Sequence, residues 1–417
     1  MARHYLDHAS TSPARPEVLL GMLRVLASGL AHANQLVGAQ ELTVHEEASG
    51  LLDCLRGLLG DPAVMGDPGR VHSEGRLART VVEQAREQLA AMFKVPPRSV
   101  VFTSGGTEAV NAACWGALAS RPGRPVLCSA LEHSSVREAS ARSAEVIEIA
   151  ADGQGRIDLS HLDSLLDRLS RTGRVPALVH CQLANHEVGT IEPLGAVAAR
   201  CHEAGALLHV DLCAAAGHMP VDVGALGADL ASVSAHKFGG PQGAGALLVR
   251  KGLRVEPFII GGAQERSRRA GIENLPAIAG FGALAARMTS PGVIEAEDAA
   301  ARRQIATILD CALGVDGVSL VGDPDPSGRL GYLACLVIEG VEGEPLLLGL
   351  DQAGIAVHSG SACSSESFEP SPVLSAIGAE PSRSLRVSVG WSTSDADVEA
   401  FCEAFPRVLD GLRSLSA

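Results

Sequence analysis

Between residues 99 and 250, short apolar runs alternate with stretches of helical periodicity. A chain patterned in this way buries both kinds of element by laying its strands side by side in a mainly parallel sheet, with helices against both faces. The predicted strands are residues 99–103, 125–129, 177–183, 206–211, 230–234 and 244–250. Ligands of such sheets bind at the carboxyl ends of the strands, so the polar residues that close each run are the first place to look for chemistry.

At 417 residues, 46% of them hydrophobic, the chain exceeds what one compact core usually holds, and two domains are expected. Thr289-Ser290-Pro291-Gly292 breaks the helical pattern before it, and the charged helical segment 293–304 suits a passage into the second domain. A strand-like run at 332–338 and a last helix from near Asp395 to about Leu415 belong to that domain. The predicted architecture is α/β, with a large domain over residues 15–290 and a smaller α/β domain made of residues 1–14 and 291–417. Nearer the N-terminus, Thr43-Val44-His45-Glu46 has capping-box spacing ahead of Leu51, Leu52, Leu55 and Leu58, which predicts a further helix.

With 34 basic against 48 acidic residues, a net charge of −14, the field of the molecule repels nucleic acid and anionic membranes. Any phosphate site must be local. No segment reads as a membrane span, and Asp7 interrupts the N-terminus before an apolar run of signal-peptide length, so a cytoplasmic protein is expected. The ten cysteines form no CxxC pair, which disfavours zinc and disulfide frameworks, and Cys114, Cys181 and Cys335 sit in apolar stretches as small hydrophobes.

The strongest local signal is Ser232-Val233-Ser234-Ala235-His236-Lys237-Phe238-Gly239-Gly240-Pro241. A lysine at the end of an apolar strand, partly desolvated, can form an imine with an aldehyde cofactor while hydroxyl and imidazole neighbours bind a phosphate. The chain offers only Lys94, Lys237 and Lys251, and the other two occupy positions typical of solvated side chains. In Val101-Phe102-Thr103-Ser104-Gly105-Gly106-Thr107-Glu108 a strand runs through small residues into a helix, a turn that aims backbone N–H groups at an anion, although such turns are commonly only turns. Asp211 closes the run Leu207-Leu208-His209-Val210. It is either a loop acid or the partner of a pyridinium nitrogen. His133, in Ser129-Ala130-Leu131-Glu132-His133-Ser134-Ser135, is either structural or an imidazole lying on a cofactor ring. Cys363 lies in the small, polar run His358-Ser359-Gly360-Ser361-Ala362-Cys363-Ser364-Ser365, where a thiol is accessible enough for nucleophilic or redox work. Arg386, in Ser384-Leu385-Arg386-Val387-Ser388, suits either a substrate carboxylate or a structural ion pair.

Taken in this order, from Tyr5-Leu6-Asp7-His8-Ala9-Ser10-Thr11 to Arg386, the motifs resemble the cysteine desulfurases of the class V aminotransferase group. These are pyridoxal 5′-phosphate (PLP) enzymes of fold type I. The resemblance implies a large domain with a mainly parallel seven-stranded sheet, a smaller α/β domain and a homodimer. It implies Lys237 as the Schiff-base lysine, Asp211 at the pyridine nitrogen and His133 stacked on the ring. Thr107, Ser234 and His236 would hold the phosphate, helped by the Gly106 and Thr107 backbone. Arg386 would bind the carboxylate of L-cysteine, and Cys363 would receive its sulfur as a persulfide for a protein or small-molecule acceptor.

The chain also departs from the family pattern. Asp211-Leu212-Cys213-Ala214 stands where Asp-Ala-Thr-Gln is usual, so the glutamine at the ring hydroxyl is missing. Asn185-His186-Glu187 replaces Asn-Asn-Glu; Asn185 and His186 are expected at the cofactor, with His186 supplying the donor that Ala214 lacks. Arg269-Ala270-Gly271-Ile272 ends without the usual threonine, Gly66-Asp67-Pro68 replaces Gly-Asn-Pro, and residues from about 30 to 65 look inserted. Two other readings stay open: a different PLP-dependent lyase or aminotransferase, and a non-catalytic scaffold on the same fold.

Overall fold

The computed structural model describes residues 3–36, 66–359 and 370–416. Its centre is a seven-stranded sheet made of β2 (Val100–Thr103), β3 (Val126–Ser129), β4 (Val146–Ile149), β5 (Leu178–His180), β6 (Leu207–Asp211), β7 (Leu230–Ser234) and β8 (Gly245–Val249). They lie in the order β2-β8-β7-β6-β5-β3-β4. β8 runs antiparallel to both of its neighbours, and the other pairings are parallel. All six predicted strands are present. β4 is the one the sequence hid, a sheet-edge strand with Val146 and Glu148 exposed to solvent.

Alternate residues of the buried strands feed two apolar layers, as the period of two in a strand requires. Val179, Leu208 and Val233 face one layer. Leu178, Leu207 and Leu230 face the other, against Ala109, Val110 and Ala113 of the helix that follows β2. The first layer continues without a break to Leu336, Ile338 and Phe405 near the end of the chain. There β9 (Val318–Val321), β10 (Leu333–Ile338) and β12 (Ser384–Ser388) form an antiparallel sheet in the order β12-β10-β9. The N-terminal β1 (His4–Tyr5) pairs in parallel with β11 (Ile355–Ala356).

The helices used below are α1 (Pro16–Leu36), α2 (Ser73–Met92), α3 (Gly106–Ala119), α4 (Ser134–Ser143), α5 (Leu159–Arg171), α6 (Leu194–Glu203), α7 (Leu275–Thr289), α8 (Val293–Leu313), α9 (Gly343–Gln352) and α10 (Asp395–Ser416). α7 packs against both α1 and α2. The break at 289–292 falls where expected, with Gly292 in the left-handed region at φ 76° ahead of α8. The helix predicted from Thr43 onward lies outside the described residues. Among the described residues no single helix is long and apolar enough to cross a membrane.

One buried ion pair ties the sheet edge to the loop before α7. Arg86 of α2 donates through Nη1 and Nη2 to Glu265 at 2.8 and 2.7 Å, with both side chains 2% exposed. Glu265 also accepts the Phe102 N–H at 3.0 Å. Its carboxylate is turned inward by a left-handed run, with φ 48° at Glu265, 58° at Arg266 and 62° at Ser267. Removing one member of such a pair strands the other charge in the interior. Glu265→Ala should therefore lower the unfolding free energy by about 3–5 kcal/mol. Urea denaturation measures this, and a loss well below that range would show that Arg86 finds another acceptor.

Candidate active site

The carboxyl ends of β2, β3, β5, β6 and β7 open onto one cavity of about 520 Å³. Of the residues singled out by the sequence, Gly106, Thr107, His133, His186, Asp211, Ser234, His236 and Lys237 line it. Thr11, Gln182, Cys213 and Gln242, which the sequence reading passed over, line it as well.

β2 delivers the first turn of α3 to the cavity. Gly106 is required there by close approach: a Cβ on it would stand 2.6 Å from the Cys213 Sγ and 3.3 Å from the Ser234 Cβ. The helix start can thus lie directly on the ends of β6 and β7, its first N–H groups facing the cavity as a place for an anion. Glu108 in that turn accepts the Ser104 N–H at 2.8 Å and the Arg269 Nε–H at 2.9 Å. Burial alone would raise its carboxyl, but Arg269 and Ser104 hold it below the usual carboxylate range. Arg269 thereby docks its loop on α3, while Ile272 farther along that loop is exposed.

β7 ends in a single 3-10 turn, Ala235–Phe238, that carries His236 and Lys237. The chain leaves it through Gly239 at φ 93°, where a Cβ would collide with the Arg15 side chain at 2.7 Å. The turn therefore closes only with glycine at this position. The Lys237 Nζ donates to the Ala9 carbonyl. Burial, and then the nearby Arg386, push its pKa below the ordinary lysine value. Lys94 is solvated, 3.6 Å from Asp222, and Lys251 is exposed. His236 approaches the Thr11 hydroxyl at 3.1 Å; burial and Lys237 bring it down to about 4.

His133 caps α4, its Nδ1 accepting the Ser135 N–H at 3.1 Å. A neutral ring bonded in this way carries its proton on Nε2. Withdrawal from water, then His186, push it down to about 4. The His186 ring lies edge-on to it, centroids 5.1 Å apart. The His186 Nδ1 is 3.4 Å from the Gln182 Oε1, and its Nε2 is 3.5 Å from the Glu187 Oε1. Because the Gln182 Nε2 donates to the Leu131 carbonyl at 2.7 Å, that amide can offer His186 only its oxygen.

Two predicted residues stand behind the cavity wall rather than on it. Asn185, expected at the cofactor, is fully buried. Its Oδ1 accepts the N–H groups of Glu187 and Val188 at 2.8 and 2.9 Å, and its Nδ2 donates to Leu131 O at 3.3 Å. It shapes the turn that presents His186. Arg386 donates through Nη1 to the His186 carbonyl at 3.0 Å, and through Nη2 to Asp7 and Ser10 at 3.1 and 2.7 Å. Its Nε has no partner among the described residues. Cys363 lies outside the described residues.

Under the cavity, the Glu132 Oε1 accepts the Gln182 N–H at 2.6 Å, and Oε2 has no partner among the described residues. Burial first, then the charge of Asp211, push this carboxyl well above its ordinary 4.5. A carboxyl raised in the fold contributes stability that is fully present below its unfolded value and is lost as pH rises through the folded one. Glu132→Gln removes that titration, so the variant should gain on wild type by about 1.4 kcal/mol per pH unit from about pH 5 upward, until the folded value is reached. Urea unfolding at several pH values reads the gap, and a pH-independent difference would contradict a protonated Glu132.

The family profile described as "Aminotransferase class-V" matches residues 64–401, and the chain belongs to that family. Among its relatives, Cysteine desulfurase IscS 1 of Archaeoglobus fulgidus is 38% identical over 360 residues, covering 84% of this chain and 91% of the relative. Cysteine desulfurase IscS of Dictyoglomus turgidum is 36% identical over 424 residues, 99% of this chain and 96% of its own. The X-ray structure of a NifS-like protein from Rickettsia africae superposes with a TM-score of 0.78 at 28% identity, covering 98% of this chain and 99% of that one.

Proposed function

We propose that this chain is a PLP-dependent cysteine desulfurase, converting L-cysteine to L-alanine and passing the sulfur on. Relatives of that name along most of the chain support the reading. The observation that carries it is a desolvated lysine at a strand end, in one cavity with an acid and a helix N-terminus.

The residues present fit PLP. A cavity of about 520 Å³ suits a molecule of that size. When bound, PLP supplies an aldehyde that joins an amine and a ring that draws electrons from the substrate Cα. Lys237 would hold it covalently, with Asp211 keeping a proton on the ring nitrogen and His133 against the ring. Thr107, Ser234 and His236, with the Gly106 and Thr107 N–H groups, would take the phosphate. His186 would provide the donor that Ala214 cannot.

The Lys237 Nζ, when free, would be the base at the substrate Cα, a role its burial favours. His133 exchanges protons through Nε2. Arg386, whose Nε is buried behind the cavity wall without a partner among the described residues, would have to turn into the cavity to take the substrate carboxylate. The Cys363 thiolate would then attack the substrate sulfur: the carbon–sulfur bond breaks with its electron pair left on carbon, a persulfide forms on Cys363, and the carbon fragment takes up a proton and leaves as alanine. A protein or small-molecule acceptor takes the persulfide sulfur. A cytoplasmic homodimer, and a division between residues 15–290 and residues 1–14 with 291–417, belong to the same proposal.

Purified protein supplied with PLP should turn yellow, and borohydride should fix the label on Lys237. Lys237→Ala should remove both and slow alanine formation by about 10²–10⁴-fold or more. Cys363→Ala should keep the colour and lose the persulfide, detected by mass spectrometry after incubation with cysteine. A protein that stays colourless would overturn the proposal, whereas colour without a Cys363 persulfide would point to another PLP-dependent reaction.

A further inference from the structure

Outside the cavity lining, two thiols meet between α8 and α10. Cys311 lies in the last turn of α8 and Cys402 two turns into α10, and the two helices pack together. The sulfurs are 2.7 Å apart, against about 2.05 Å in a disulfide. The Cys311 S–H donates to the Ile308 carbonyl at 3.1 Å, and the Cys402 S–H points at the Cys311 sulfur. Both are half-buried, whereas Cys114, Cys128, Cys181, Cys201 and Cys335 are enclosed in the interior. Among the described cysteines this pair therefore combines access from solvent with a second sulfur already in contact.

We propose that Cys311 and Cys402 form a reversible redox site that small-molecule disulfides convert to an intramolecular disulfide stapling α10 to α8. The Cys402 thiolate attacks the small disulfide, forms a mixed disulfide and expels one thiolate. The Cys311 sulfur then attacks the Cys402 sulfur, forming the internal bond and expelling the second thiolate. The pair gives up two electrons, the small disulfide gains them, and the two thiol protons leave with the released thiols. The Cys311 S–H is held by the Ile308 carbonyl, and burial and the neighbouring sulfur push this thiol up, so the first attack is assigned to Cys402. The bond closes a ring over residues 311–402, which contains β9 to β12 and so Arg386. Shortening the unfolded chain by such a loop favours the fold.

Incubating the full-length, PLP-loaded protein with oxidised glutathione tests this. The expected product is one Cys311–Cys402 peptide pair, lighter by two hydrogens than the free peptides, with a raised thermal midpoint that reductant restores. Cys402→Ser should abolish both the link and the shift; if that variant does not fold, Cys311→Ala serves the same purpose. Separate glutathione adducts on Cys311 and Cys402, or two thiols that remain open to alkylation, would overturn the proposal. The test does not depend on the chemistry assigned to the cavity.

Discussion

The amine of Lys237 rests against the carbonyl of Ala9, and in the cavity it has lost the water that would hold its proton in place. Arg386 adds a second cation nearby; Cys213, Asp211 and Asp7 pull the other way, but less strongly. The balance shifts the amine toward its neutral, nucleophilic form, a shift that an ion pair at bonding distance would have opposed. Several parts of the fold serve that one placement. The β7 turn closes on Gly239, and the pairing of β1 with β11 brings the N-terminal residues, including Ala9 and Thr11, across to the sheet. The amino end of the chain is thus part of the site.

The other titratable groups around the cavity obey the same constraint. Burial drives His133 and His236 toward the neutral form and, with the charge of Asp211, pushes the Glu132 carboxyl toward its protonated form. His186 is the exception in geometry, since both of its nitrogens face oxygen acceptors, from Gln182 and Glu187. A neutral ring satisfies only one of them. The exchange of an amide for an imidazole at this place changes what the wall can donate.

Much of the sheet was legible because strands buried on both faces read as unbroken apolar runs, and the polar residue ending each run marks the site side. Asp211, Ser234 and Lys237 were found in this way. β4 was not, because its exposed Val146 and Glu148 interrupt the apolar signal. Thr11 escaped because it reaches the cavity through the pairing of β1 with β11, which sets His4 against Ile355 far along the chain and which no local pattern reveals. Gln182 was taken for part of a strand running to residue 183, whereas β5 ends at His180 and frees the amide to turn into the cavity. Asn185 was expected at the cofactor from the resemblance of Asn185-His186-Glu187 to the family pattern, yet a short amide next to a turn is readily taken up by the backbone around it. Arg386 left two roles open, and its pairing with Asp7 fills the structural one without excluding the other.

The left-handed run from Glu265 to Ser267 stores strain of order 1–3 kcal/mol per residue. On the surface Arg266 pairs with Glu83 at 3.1 Å, and inward Glu265 reaches Arg86. Two residues past the run, Arg269 grips Glu108, whose other oxygen holds Ser104 at the threshold of α3. The loop therefore acts as a tensioned strut, anchored in the interior at one end and bracing the mouth of a helix at the other. Slackening the anchor would alter how squarely that helix addresses the cavity, so residues that never approach a ligand still set its angle of reception.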